Sequence, residues 1–320
     1  MHVLVTGCAG FIGSHLSERL VADGCTVRGV DAFTDYYAAA DKRANLAALE
    51  DDARFSLEVL DLADADLAPL LADRPVVIHL AAQPGVRGSF GDGFARYLHD
   101  NVRATQRLLE AARDAGCRRV VYASSSSVYG DAETYPTVED ATPRRPRSPY
   151  GVTKATCEDL AAIYAGMGLE TVGLRYFTVY GPRQRPDMAM RRLCEAAHGG
   201  PRFRLLGDGG QSRDFTHVSD VVEATVLAAT ARRVPPVLNV GGGEEATMAE
   251  VIGILEDLHG APIPLSRGEA QAGDVRRTGA DTSLLRALGW TPGTGLRDGL
   301  RSELEWVADR RRVPQMAGVR

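Results

Sequence analysis

Tyr150 and Lys154 stand four residues apart, a spacing that puts both side chains on one face of a helix. A phenol is a poor base at neutral pH unless a neighbouring cation stabilises the phenolate. The chain holds ten tyrosines but only two lysines, Lys42 and Lys154, among its 37 Lys and Arg residues. Positive charge is otherwise written as arginine, so a retained lysine marks a task for a compact ammonium rather than a planar fork. An exposed helical pair without chemistry is the plain alternative, and the scarcity of lysine counts against it. Just upstream, Ser124, Ser125, Ser126 and Ser127 end an apolar run and lead into Val128-Tyr129-Gly130. Hydroxyls at the carboxyl end of a strand can hold a substrate oxygen beside the phenol, whereas a polar turn explains one or two serines but not four. This set could perform acid–base chemistry on a hydroxyl.

A second constellation lies at the start of the chain. Gly7-Cys8-Ala9-Gly10-Phe11-Ile12-Gly13 follows a strand-like run and opens a helix-like one. Glycines there allow a tight turn and close approach of a pyrophosphate to the helix N-terminus, although the G-x-x-G-x-x-G spacing meets the usual dinucleotide pattern only loosely. Asp31 ends the second strand-like run, eighteen residues past Gly13. A carboxylate there accepts hydrogen bonds from the adenosine ribose and repels a 2′-phosphate, and no arginine follows it directly, so the expected cofactor is NAD rather than NADP. Asp61 and Leu62, after the third run, are candidates for contact with adenine, with an ordinary turn as the alternative for Asp61. Leu80, Ala81 and Ala82 end the fourth run with side chains small enough for a cofactor to pass, and His79 before them reads as structural. Asp31, the glycine loop, Tyr150 and Lys154 would together hold the dinucleotide.

These residues need a scaffold. Strand patterns cover His2–Thr6, Thr26–Asp31, Phe55–Leu60, Val76–Leu80, Arg119–Ser124 and Thr171–Tyr176, alternating with helical patterns that include Ser14–Ala22, Val102–Ala115 and Tyr150–Ala165. This alternation predicts an α/β fold, a Rossmann-type doubly wound parallel sheet built from βαβ units. From Gly181 to Gly210 the chain becomes rich in Pro, Gly and Arg, and helical patterns at Met248–Leu258 and Thr282–Leu288 follow. The division expected is a dinucleotide-binding domain over 1–178 and a smaller, mixed α/β C-terminal substrate domain over most of 179–320. Residues 218–240 return to the first domain, and a loose tail begins at Arg310.

Composition narrows the class. The chain has 320 residues, 44% hydrophobic and 25% charged, with a net charge of −5, a globular balance that does not point to nucleic acid or a membrane surface. Cys8, Cys25, Cys117, Cys157 and Cys194 are odd in number and widely spaced, so neither a disulfide framework nor a zinc site is expected, and no metal is invoked. No apolar run is long enough to span a bilayer, and no basic segment precedes the first apolar run, so the expectation is a cytoplasmic enzyme.

The motifs together resemble an extended short-chain dehydrogenase/reductase of the NAD-dependent nucleotide-sugar epimerase/dehydratase family. The likeness spans nearly the whole chain. It rests on the glycine loop, the serine run, the Tyr150/Lys154 pair, Arg175–Pro182, Arg213–His217 and Gly273-Asp274. It implies that Ser125 is the catalytic Ser/Thr, Tyr150 the base, Lys154 its partner and Asn101 a structural or relay residue. It also implies a homodimer formed through the helices at 102–115 and 150–165.

Dehydratases and decarboxylases similar to this chain carry a carboxylate at the position of Ser127, and dehydratases another at that of Ser126. Without an acid pair, elimination of water lacks its agents, and return of a hydride to the other face, epimerisation, is what remains. Residues 177–186, 82–87 and the Asp35-Tyr36-Tyr37 and Lys42–Leu46 stretches look most like UDP-glucuronate 4-epimerases, where UDP-glucose epimerases typically have Asn in place of Thr178. The resemblance implies that Ser126, Ser127, Thr178 and Arg185 hold the sugar carboxylate, assisted by Arg87. Arg213, Asp274 and Arg276 would complete the nucleotide-sugar contacts, although the segment around Gly273–Thr278 is closer to the decarboxylase and dehydratase versions. Eight arginines against three carboxylates between Arg175 and Arg213 suit a diphosphate, with an arginine-rich surface as the alternative. The competing activities are a UDP-glucose or UDP-N-acetylglucosamine 4-epimerase, a UDP-glucuronate decarboxylase and, in another class, a non-catalytic NAD-binding sensor.

Overall fold

A computed structural model describes residues 1–269 and 275–312. Gly273 and Asp274 lie outside the described residues. Among the described residues, twelve strands follow in chain order. They are β1 (His2–Thr6), β2 (Thr26–Asp31), β3 (Phe55–Val59), β4 (Val76–His79), β5 (Arg119–Ser125), β6 (Glu170–Tyr176), β7 (Thr178–Tyr180), β8 (Phe203–Leu206), β9 (Ser212–His217), β10 (Val237–Val240), β11 (Glu244–Thr247) and β12 (Leu265–Gly268).

The large sheet has the order β10-β6-β5-β4-β1-β2-β3, and every pairing in it is parallel. A parallel sheet covered on both faces needs strands apolar on both sides, which is why Val3-Leu4-Val5 and Val120-Val121 are wholly buried without alternation. One face packs under the helices Phe11–Ala22 and Val218–Thr230, burying Leu16, Leu20, Val221 and Ala224. The other packs under Ala104–Ala115 and Pro149–Gly166, burying Leu108, Leu109, Ala161 and Tyr164. The order reverses between β1 and β4, leaving a crevice at the carboxyl ends of the strands, where ligands bind in open α/β sheets.

β7 turns away from the large sheet and pairs with β9, which pairs in turn with β11. A separate core of Tyr180, Met190, Leu193, Phe203, Leu255 and Leu300 lies beneath this smaller sheet. β10 returns to the edge of the large sheet beside β6.

The first six strands fall within one residue of their predicted ends. One expectation is corrected: Arg310, Arg311 and Arg312 are not a tail but the last turn of the helix Leu296–Arg312. That helix buries Leu296, Leu300, Leu304 and Val307 on one stripe. Arg310 donates to Asp41 at 2.5 Å and stacks over Trp306, which anchors the helix end to Ala39–Leu46.

Candidate active site

One cavity of about 480 Å³ opens over the reversal point of the large sheet. Gly7, Gly10, Phe11, Ile12, Gly13, Asp31, Asp61, Leu62, Leu80, Ala81 and Ala82 line one part of it; Ser125, Ser126, Ser127, Tyr150, Lys154, Thr178, Arg185 and Arg213 line the rest.

The glycine loop is shaped for close packing. Gly7 has φ +70° and a Cβ on it would stand 2.8 Å from the amide nitrogen of Ala81; a Cβ on Gly13 would run into the Gly7 carbonyl oxygen. No side chain therefore fills the cradle in front of the first helix, whose free amides face it. Asp31 accepts from the amides of Ala9 (3.2 Å) and Phe33 (2.8 Å), which fixes its carboxylate at the end of β2. Lys42, the other lysine, stands 3.8 Å from Asp31 and donates to the Thr34 carbonyl at 3.0 Å. Asp61 accepts the Ala63 amide at 2.9 Å, an ordinary turn, and still lines the cavity. A side-chain-free cradle at a helix start, a fixed carboxylate eighteen residues further on and an apolar wall fit a dinucleotide such as NAD.

At the other end, Ser148 caps the helix Pro149–Gly166 by accepting the Gly151 amide at 3.1 Å, and Pro149 starts it with a preset φ. Tyr150 and Lys154 thus lie one turn apart on the face that lines the cavity. The Lys154 Nζ donates to the carbonyl of Ala123 in β5 at 2.8 Å, which ties the helix to the strand that carries the serines. The ring of Tyr97 packs edge-on against that of Tyr150, centroids 6.1 Å apart. The Ser125 hydroxyl accepts the Ser127 amide at 3.1 Å, so the serine run leaves β5 through a tight turn. Ser124 points away, donating to Glu158 at 2.5 Å. His79 is buried between Thr6 (2.7 Å) and Thr105 (3.0 Å); burial first and the Lys154 charge second push its pKa down to about 3, so it stays neutral and structural. Asn101 is buried in the π-helical stretch Leu98–Arg103, bonding the Gln83 backbone (2.7 and 3.1 Å) and Thr153 (3.1 Å), and so joins β4's exit to the Tyr150 helix.

The arginine-rich stretch does not assemble as one cluster. Arg175 is buried and forks onto Glu158 through two 2.8 Å bonds, also reaching Tyr129. Arg183 pairs with Glu18, Arg191 with Glu195, and Arg192 lies over Phe203. Of the eight, Arg185 and Arg213 line the cavity. Arg87, in the turn Arg87–Ser89, and Arg276, an exposed residue whose carbonyl accepts the Ser212 amide, lie outside the cavity lining among the described residues. Sequence reasoning missed Tyr36, Tyr37, Gln83, Arg147 and Met188 on the wall. Arg147 could have been noticed three residues before Tyr150; it pairs with Asp131 at the rim. Lys42, to which the sequence reading gave no site role, lines the cavity as well.

Residues 3–241 match the NAD dependent epimerase/dehydratase family. A Bacillus subtilis protein described as an uncharacterized UDP-glucose epimerase is 43% identical over 312 residues, covering 96% of this chain and 98% of that one. A probable UDP-glucuronate 4-epimerase of Rhizobium meliloti is 36% identical over 330 residues, 96% of each chain. The solved UDP-glucuronic acid 4-epimerase of Bacillus cereus, in complex with UDP-glucuronic acid and NAD, superposes with a TM-score of 0.93 at 39% identity, covering 97% of this chain and 100% of that one. With the glycine loop, the serine run and the Tyr150/Lys154 pair all inside the matched span and on one cavity, the chain belongs to the NAD-dependent epimerase/dehydratase family.

Proposed function

We propose that this chain interconverts UDP-glucuronate and UDP-galacturonate by epimerisation at C4 of the sugar, an isomerase that uses NAD without consuming it. The observation that carries this reading is the single cavity shared by Tyr150, Lys154 and the glycine loop with Ser126, Ser127, Thr178 and Arg185. NAD held over the glycine loop and Asp31 would supply a hydride acceptor for C4 of the sugar and a hydride donor to its opposite face. Tyr150 removes the C4 hydroxyl proton and gives it back after the ring has turned. Lys154, anchored on the Ala123 carbonyl, stabilises the phenolate with its charge and offers its remaining protons to the nicotinamide ribose. Ser125 has its oxygen engaged by the Ser127 amide, so its hydroxyl proton is free to bridge Tyr150 and the sugar oxygen. The 4-keto uronate is a β-keto acid, which loses CO2 when the C5–carboxylate bond aligns with the carbonyl π system. Ser126, Ser127 and Thr178 hold the carboxylate out of that alignment with neutral donors, and Arg185 supplies a charge. A Glu at 127 would repel it.

The large sheet, with residues 218–240 returned to it, carries the dinucleotide, and most of 179–320 carries the nucleotide-sugar; the separate core around Leu193 and Leu300 supports this division. Leu98, Val152, Ile163 and Met167 are large apolar residues left exposed on or beside the helices at 104–115 and 149–166, which supports a homodimer through that surface. No helix among the described residues is long and apolar enough to cross a membrane. Five buried free thiols suit the reducing cytoplasm.

Purified protein incubated with UDP-glucuronate should form UDP-galacturonate with little CO2. Faster turnover of UDP-glucose than of UDP-glucuronate would favour a neutral hexose instead. That second reading has one observation behind it: a carboxylate of the protein, Asp187, already engages Arg185.

A further inference from the structure

We propose that Asp187 sets the strength and direction of the Arg185 grip on the sugar carboxylate, making it a specificity-determining positioning residue for an acidic sugar that must turn over in the site. This rests on the uronate reading above.

Arg185 and Asp187 flank Pro186 on the loop that follows β7. Arg185 donates through Nε to one Asp187 oxygen and through Nη2 to the other, both at 3.0 Å, a fork-to-fork pair. Tyr36, on the loop after β2 across the cavity, donates its hydroxyl to Asp187 Oδ2 at 3.1 Å, and its ring lies under the guanidinium with the centroid 5.8 Å away. Asp187 is therefore held from both sides of the cleft. Burial works to raise its pKa, but the Arg185 charge and the bonds from Arg185 and Tyr36 outweigh it and hold the carboxyl below its ordinary range, so it is ionised at neutral pH.

Two consequences follow from this pairing. Direction comes first: with the Nε/Nη2 edge occupied, the edge left to a ligand is the far end of the guanidinium, and Arg185 lines the cavity within electrostatic reach of Tyr150. The second is strength. An unopposed guanidinium in a partly buried site would bind a carboxylate tightly and in one pose. A carboxylate already bonded to it cancels much of that attraction. Epimerisation needs the weaker grip, because the ring presents opposite faces in the two hydride transfers and its C5 carboxylate must leave Arg185 in between. Binding that holds only one ground-state pose slows the cycle.

The test is Asp187→Asn, which keeps the side chain's size and removes its charge. Two measurements are needed on the NAD-loaded enzyme: dissociation constants of UDP-glucuronate and UDP-glucose, and kcat for UDP-glucuronate. The expected result is UDP-glucuronate binding about tenfold tighter relative to UDP-glucose, the scale of one charge-assisted contact, together with a several-fold lower kcat. Tyr36→Phe keeps the ring and the Asp187 charge and loses only the bond between them, so it should shift UDP-glucuronate binding far less than Asp187→Asn does. Unchanged or weaker UDP-glucuronate binding in Asp187→Asn overturns the proposal, as does tighter binding with an undiminished kcat. Wild-type enzyme that turns over UDP-glucose but not UDP-glucuronate overturns the uronate reading itself, a result visible before any variant is made.

Discussion

The ammonium of Lys42 stands 3.8 Å from the carboxylate of Asp31, so both lysines of the chain face the same cavity, one at each end. Burial lowers the Lys42 pKa, with Asp31 pulling it back up. The pair sets the charge where the adenosine ribose would rest. Asp31→Ala removes the ribose acceptor and leaves Lys42 without that partner. NAD affinity should fall about 10–100-fold, the range for losing a charged hydrogen-bonding group. NADP should lose far less, because the repulsion of its 2′-phosphate goes with the carboxylate. Fluorescence titration with both dinucleotides measures the two affinities; an unchanged NAD/NADP ratio would place the ribose elsewhere.

At the other end, Tyr150→Phe deletes one oxygen and leaves the ring that packs edge-on against Tyr97. Cofactor binding should survive while kcat drops by about 10²–10⁴, the usual worth of a positioned acid–base group. Lys154→Met should also lose activity, and in addition should weaken cofactor retention, because its Nζ, held on the Ala123 carbonyl, lines the cavity that would take the dinucleotide. Steady-state rates and the cofactor content of purified protein separate the two effects.

If Thr178 and Arg185 pin the uronate carboxylate, loosening either one exposes the β-keto acid to decarboxylation. Thr178→Ala and Arg185→Ala should each release CO2 and a 4-keto pentose from UDP-glucuronate in measurable proportion to epimer. Headspace CO2 and product chromatography follow both. Intact epimerisation with no CO2 from either variant would remove these residues from that role.

What was legible in the sequence was local. The glycine loop, Asp31 and the Tyr150/Lys154 pair each lie within one turn or one strand end, and backbone geometry alone places their side chains. The arginines between Arg175 and Arg213 were not legible, because residue type says nothing of a distant partner. Arg175 meets Glu158 and Arg183 meets Glu18, and neither lines the cavity. Tyr36 reaches the site across the whole cleft, through a contact 151 positions apart in sequence. The helix Leu296–Arg312 was hidden by its polarity. Its apolar residues at 296, 300, 304 and 307 keep helical spacing, a signal that was present but diluted by the charges around it.

That same helix carries a carboxyl, Glu303, whose titration can be followed through stability. Glu303 is fully buried; one oxygen accepts the Gly181 amide at 3.0 Å and the other has no hydrogen-bond partner. Burial raises its pKa to about 8, with the Gly181 bond and Arg191 opposing and Glu195 adding to the rise. In the unfolded chain the group titrates near its ordinary value of 4.5. The native state therefore binds a proton that the unfolded state has released between these two values. Its contribution is fully present below the unfolded pKa and is lost as pH climbs toward about 8, at up to about 1.4 kcal/mol per pH unit. Glu303→Gln cannot ionise and should lack this slope. Melting temperatures of the two proteins should converge or cross between pH 5 and pH 8 in favour of the variant, relative to their difference at pH 5. Parallel curves across that range would mean that Glu303 is ionised in the folded protein, and that the Gly181 loop leading to Arg185 is held by a charge rather than by a neutral acid.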